Sequence, residues 1–161
     1  MVGKQNFLIT NIKQNSTLNA IATTRQESIT TLNLTNACVL DPDARTTLTP
    51  EEAKQFDFFI FGGILGDDPP QKRTFPELTS KLPKATARNL GKAQMSTDTA
   101  AYVTHQIVRG KKLSDLKFQN TIEIQLDKNE STILPYQYVL VNDKPMISEE
   151  LVNYIKKIKG F

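Results

Sequence analysis

The sequence predicts an α/β domain in which a mostly parallel sheet is flanked by helices. Three observations carry this. Phe56-Asp57-Phe58-Phe59-Ile60-Phe61 is an aromatic run of strand length, Ala37-Cys38-Val39-Leu40 is a second apolar run, and segments with helical start signals alternate with strand-like ones. Strands covered on both faces read as unbroken apolar runs, and strand–helix alternation with short connections builds a parallel sheet. With 161 residues, 39% of them hydrophobic and 23% charged, the chain is sized for one domain, expected to span 1–161.

The elements follow in order. Phe7-Leu8-Ile9-Thr10-Asn11-Ile12 reads as a short first strand, and residues 15 to 36 form a Ser/Thr/Asn-rich stretch without a usable period. The strand Ala37 to Leu40 stops at Asp41-Pro42, because proline lacks an N–H and pushes the preceding residue into extended geometry. Thr49-Pro50-Glu51-Glu52 starts a helix, with a hydroxyl cap, proline at the first helical position and acids at the positive end of the dipole. That helix leads into the aromatic strand, whose exit is Gly62-Gly63-Ile64-Leu65-Gly66-Asp67-Asp68-Pro69-Pro70. Residues 71 to 85 read as a charged, proline-broken connection, and propensity does not place 86 to 95. Ser96-Thr97-Asp98 caps a helix with Ala100, Val103 and Ile107 on one face and an end at Gly110. Tyr136 to Val141 alternates and turns at Asn142-Asp143 as a hairpin does, and Ser148-Glu149-Glu150 opens a last helix with Leu151, Tyr154, Ile155 and Ile158 inward.

Bulk properties exclude several classes. The net charge of +3 is spread along the chain, which permits RNA binding without arguing for it. Cys38 is the only cysteine, so no intrachain disulfide forms, and its apolar setting reads as a small buried side chain and not a catalytic thiol. No apolar stretch has the length of a membrane span and no signal-peptide layout is present, so a cytoplasmic location is expected. No His/Cys/acid cluster has metal-ligand spacing, and no Ser-His-Asp set suggests hydrolysis. His105, the only histidine, lies mid-helix off the apolar stripe, and Lys111, Lys112, Lys156, Lys157 and Lys159 sit at helix ends where the dipole explains them.

The ligand site starts at the glycine loop. Without Cβ atoms, Gly62, Gly63 and Gly66 let a ligand reach main-chain donors and acceptors. Gly-Gly-x-x-Gly is a weak motif alone, neither a dinucleotide fingerprint nor a phosphate loop. A second segment, Arg88-Asn89-Leu90-Gly91-Lys92-Ala93-Gln94-Met95-Ser96-Thr97-Asp98-Thr99, again puts a glycine before a capped helix. Two such loops on neighbouring strands clasp one ligand at the carboxyl ends of the sheet.

Together, Phe58 to Pro70, Leu90 to Ala100 and Lys128-Asn129-Glu130-Ser131-Thr132 through Pro135-Tyr136-Gln137-Tyr138-Val139-Leu140 resemble the SPOUT class of methyltransferases. The likeness runs from about Gly3 to Lys157 and is nearest to the fungal and archaeal branch that acts on a protein arginine. It implies a fold whose C-terminal part forms a deep trefoil knot, and a family strand and helix that precede the segment where this chain starts. It also implies bound S-adenosylmethionine (SAM), held by Gly62, Gly63, Ile64 and Gly66 on one side, by Leu90, Gly91, Gln94 and Met95 on the other, and by Leu40. The target would be an arginine of a ribosomal protein. The working form would be a monomer or a homodimer.

Such a reaction brings two cations together, since guanidinium and sulfonium repel by ~4 kcal/mol at ~4 Å and an effective dielectric near ~20. Carboxylates must offset that, and they fit the guanidinium fork. Asp67, Asp98 and Glu130 are the acids expected to do so, with Asp68 beside them. Asp98 is equally explained by capping, and Glu130 has a surface acid as its plain alternative. Two other readings stay open: an RNA methyltransferase of the same fold, favoured by a pI of about 8.9, and a domain that binds cofactor or a partner without turnover.

Overall fold

In the computed structural model, which describes residues 3–13, 16–63 and 71–158, the chain opens with strand β1 (Leu8–Ile9), helix α1 (Ser16–Ile21) and strand β2 (Thr23–Thr24). β1 and β2 pair in parallel. Next come β3 (Ala37–Leu40), α2 (Pro50–Ala53), β4 (Phe58–Phe61), α3 (Thr74–Glu77), β5 (Thr86–Arg88) and α4 (Thr97–Val108). The C-terminal part holds β6 (Phe118–Gln119), β7 (Ile122–Gln125), β8 (Ser131–Leu134), β9 (Tyr138–Val141), β10 (Lys144–Pro145) and α5 (Glu149–Ile158).

β4, β3 and β5 form a parallel sheet in that order, with β3 at the centre. All four residues of β3 are buried. Cys38 and Leu40 point into one core with Leu48, Ala53, Val103 and Ile107, while Ala37 and Val39 meet Ile60 and Leu78 in another. The strand is thus covered on both faces, as its unbroken apolar run demands. Val103 and Ile107, both fully buried, dock α4 on this sheet, and each contributes about 1.5–3 kcal/mol by leaving water. Thr49 caps α2 by accepting from Glu52 N at 3.3 Å. Gly110, with φ +98°, ends α4 in the left-handed region.

The expectation of a mostly parallel sheet holds only for this centre and for β1–β2. β6, β9 and β10 form an antiparallel sheet, and β7 and β8 an antiparallel pair. The reason is the connections: Asn142 (φ 52°) and Asp143 (φ 56°) both adopt left-handed geometry, the tight hairpin turn, and parallel strands need a long crossover instead. Ile122-Glu123-Ile124-Gln125 alternates buried and exposed, a strand with one wet face.

Three further expectations change. The aromatic strand β4 is an edge of its sheet, and Phe58 is 42% exposed. The connection 71 to 85 contains α3 and a short 3-10 turn, Thr79–Lys81, and 86 to 95 supplies β5. On α5 the fully buried residue is Ile155, packed with Ile122, Ile124, Leu134 and Tyr138, whereas Leu151, Tyr154 and Ile158 are exposed. The helix turns its Val152 and Ile155 side to the hairpin, so the apolar stripe is wider than the contact it makes. No helix among the described residues is long and apolar enough to cross a membrane.

Candidate functional site

Leu40 stands opposite both Phe61 and Arg88, so the carboxyl ends of all three parallel strands lie side by side and their loops open on one edge. A cavity of about 390 Å³ lies there, in the size range of small-molecule sites. Leu40, Gly62 and Gly63 line it from β3 and β4, and Leu90, Gly91, Gln94 and Met95 from the loop after β5. The structure therefore brings together every expected cofactor residue that it describes. Ile64 and Gly66, with Asp67 and Asp68, lie outside the described residues.

The wall is tied together by main chain and by polar side chains. Asp41 N donates to Arg88 O at 2.9 Å, joining the ends of β3 and β5. Arg88 in turn makes a forked ion pair with Glu52, Nη2 to Oε1 at 2.6 Å and Nε to both oxygens at 3.2 Å, which braces β5 against α2. Its hydrogen bond holds the Glu52 carboxyl below the usual carboxylate range. Gln137 N donates to Gln94 O at 2.8 Å, bringing the C-terminal segment against the loop, and Tyr136 beside it lines the cavity.

Two features fit a ligand rich in acceptors. A Cβ built on Gly63 meets no heavy atom of the described residues within 4 Å. Gln94 Nε2 is buried without a hydrogen-bond partner among the described residues. A buried orphan donor costs about 1–3 kcal/mol until a partner reaches it. Both features suit an adenosine-bearing cofactor such as SAM.

The acids are distributed differently from expectation. Asp98 is exposed in the first turn of α4, next to the lining residue Thr97, and does not itself line the cavity. Glu130 is exposed in the turn between β7 and β8, where its carbonyl accepts from Leu126 N at 2.9 Å and its N–H donates to Asp127 Oδ1 at 3.1 Å. Sequence reasoning missed Asp41 and Asp43, which line the cavity. Asp41 is 2% exposed and accepts from Asp43 N at 2.9 Å and Thr79 Oγ1 at 2.6 Å, with no cation paired to it among the described residues. Asp43 pairs with Lys72 at 3.3 Å. The signal was present as two acids at the end of the most buried strand, but Asp41-Pro42 reads first as a strand stop.

Other candidates drop away. Cys38 is fully buried, and burial pushes its thiol up to about 11, so it is no nucleophile. His105 is half-buried on α4 and outside the cavity lining. Among the described residues no three His, Cys, Asp or Glu side chains could hold a metal ion.

Comparison with known proteins gives consistent matches. A family model described as SFM1-like protein arginine N-methyltransferase matches residues 1–160. The protein arginine N-methyltransferase SFM1 of Saccharomyces cerevisiae (strain ATCC 204508 / S288c) is 45% identical over 123 residues, which is 74% of this chain and 57% of that protein. This chain therefore spans less than two thirds of that curated relative. The crystal structure of yeast arginine methyltransferase SFM1 complexed with SAM is similar with a TM-score of 0.84 and 34% identity, covering 98% of this chain and 79% of the other. Its complex with SAH gives a TM-score of 0.81 at 34% identity, covering 96% and 82%.

Proposed function

This chain belongs to the SFM1-like protein arginine N-methyltransferase family, and we propose that it transfers a methyl group from SAM to an arginine side chain of a protein. The observation that carries this is one cavity at the carboxyl ends of three parallel strands, lined by Gly63, beside which no described heavy atom fills the Cβ position, and by Gln94, whose Nε2 is unpaired among the described residues. Bound SAM supplies an electrophilic sulfonium methyl, so the protein's part is orientation and electrostatics.

Leu40, Leu90 and Met95 give apolar surface, and Gly62, Gly63 and Gly91 give main-chain groups that a ligand can approach; Ile64 and Gly66 are proposed to join them from the sequence resemblance. Gln94 offers its amide. Asp41 is proposed to put negative charge on the wall, Asp43 being paired with Lys72, and so to offset the repulsion between a guanidinium and a second cation. Asp67 and Asp98 are proposed to share that task. Glu130, exposed on its turn, is proposed to contact the protein substrate outside the cavity.

The finer reading rests on the resemblance in the loops and C-terminal segment. It places the chain in the SPOUT class with a trefoil knot, acting in the cytoplasm on a ribosomal protein as a monomer or homodimer. Support for the knot is the parallel bridge between Met95 and Gln137, where the C-terminal segment passes against the cavity loop. Among the described residues three cations line the cavity, Lys72 paired with Asp43, Lys92 donating to the carbonyls of Ala44 and Pro42, and Arg73, and the preference for a protein over an RNA substrate rests on the family match. Calorimetric titration with SAM tests the cofactor assignment: saturable heat is expected, and no heat at millimolar ligand would retire it.

A further inference from the structure

Asn89 follows β5 directly and is 2% exposed. Its amide nitrogen donates to Thr46 O at 2.9 Å and its carbonyl accepts from Leu48 N at 3.0 Å. Its side-chain oxygen accepts from Thr47 Oγ1 at 2.9 Å and from Gly91 N at 3.0 Å, while its side-chain nitrogen donates to Ala44 O at 2.8 Å. Ala44 O takes a second donor, Lys92 Nζ, at 3.0 Å. One buried side chain thus ties the loop after β3 to the loop after β5, and these are two walls of the cavity.

We infer that Asn89 is a positioning residue for the cofactor loop, fixing the Gly91 amide and the Leu90–Met95 segment before any ligand arrives. The inference rests on the reading of this cavity as the SAM site. β5 itself does not need the side chain, since its register with Cys38, Val39 and Leu40 holds it in the sheet. Gly91 has φ +99°, which other residues adopt only under strain, so the loop shape depends on that glycine and on an acceptor that captures its N–H. Preorganisation of this kind lowers the ordering cost of binding.

The test compares SAM affinity by calorimetry in wild type, Asn89→Leu and Asn89→Asp, alongside the melting temperature of each without ligand. Asn89→Leu removes the acceptor for Gly91 and is expected to weaken SAM binding by about tenfold or more, whereas Asn89→Asp keeps that acceptor but loses the donor to Ala44 O and is expected to fall between Asn89→Leu and wild type. A residue that only braced the fold would lower both melting temperatures and leave the affinity of folded protein unchanged; that outcome overturns the inference. Should Asn89→Leu fail to fold, amide exchange at Gly91 in ligand-free wild type decides: slow exchange is expected, and exchange as fast as in an open loop overturns it. Absence of SAM binding in wild type contradicts the proposed function instead, and the Gly91 exchange still judges Asn89 by itself.

Discussion

The main-chain N–H of Gln137 donates to the carbonyl of Gln94 at 2.8 Å. That bond engages the backbone of Gln94, a residue of the cavity lining, while its side-chain Nε2 is buried and unpaired among the described residues. An orphan donor in this state is costly until a partner satisfies it.

Gln94→Met keeps the length of the side chain and removes the amide. Ligand-free protein should gain up to about 1 kcal/mol of stability in urea unfolding while losing several-fold to tenfold in SAM affinity. Loss of stability together with unchanged affinity would show that Gln94 is a core residue and no ligand donor.

Gly63→Val adds a branched side chain where no described heavy atom lies within 4 Å of the new Cβ. The melting temperature should stay near wild type and SAM binding should fall by more than about tenfold. Wild-type affinity in a folded variant would put the ligand elsewhere.

Tyr138 is 3% exposed, and its phenol is pushed up to about 12, first by burial and then by the charge of Asp98 and by Tyr136. An acid whose folded value is raised contributes stability that is fully present below the unfolded value of 10.0 and is lost as pH rises toward 12. Ultraviolet titration should show one late-ionising tyrosine, and Asp98→Asn should move it down while leaving it above 10.0, because burial is the larger cause. A Tyr138 that ionises at the ordinary value would contradict the packing of β9.

The Glu52–Arg88 pair is forked and mostly covered, with side chains 29% and 19% exposed. Glu52→Gln should cost on the order of 1 kcal/mol at neutral pH. Glu52 is lowered from 4.5, so its contribution is present above that value and fades as pH falls through the folded one. The stability gap between variant and wild type should therefore close in acid, and a gap independent of pH would show that the loss is packing and not charge.

Much of this arrangement was legible in the residues. Apolar runs announce β3 and β4, the Thr49-Pro50 cap announces α2, and Asn142-Asp143 announces the last hairpin, because each signal is local. The glycine loops point to the cavity for the same reason: a missing Cβ is visible in the chain itself. β5 was hidden, since Thr86-Ala87-Arg88 is short and lacks an apolar run, and only its pairing with Cys38, Val39 and Leu40 makes it a strand. Asp41 was misread because a strand stop and a cavity acid look alike until the neighbouring strands are placed. The exposed Leu151, Tyr154 and Ile158 show the opposite limit, where helical period marks an apolar face but not what covers it.

Transfer of labelled methyl from SAM to a ribosomal protein fraction, with and without ribonuclease treatment, tests the central claim most directly. Label on arginine, unchanged by ribonuclease and absent with Gly63→Val, is the predicted result. Label that disappears with the RNA, or transfer that persists in the folded Gly63→Val variant, would contradict it.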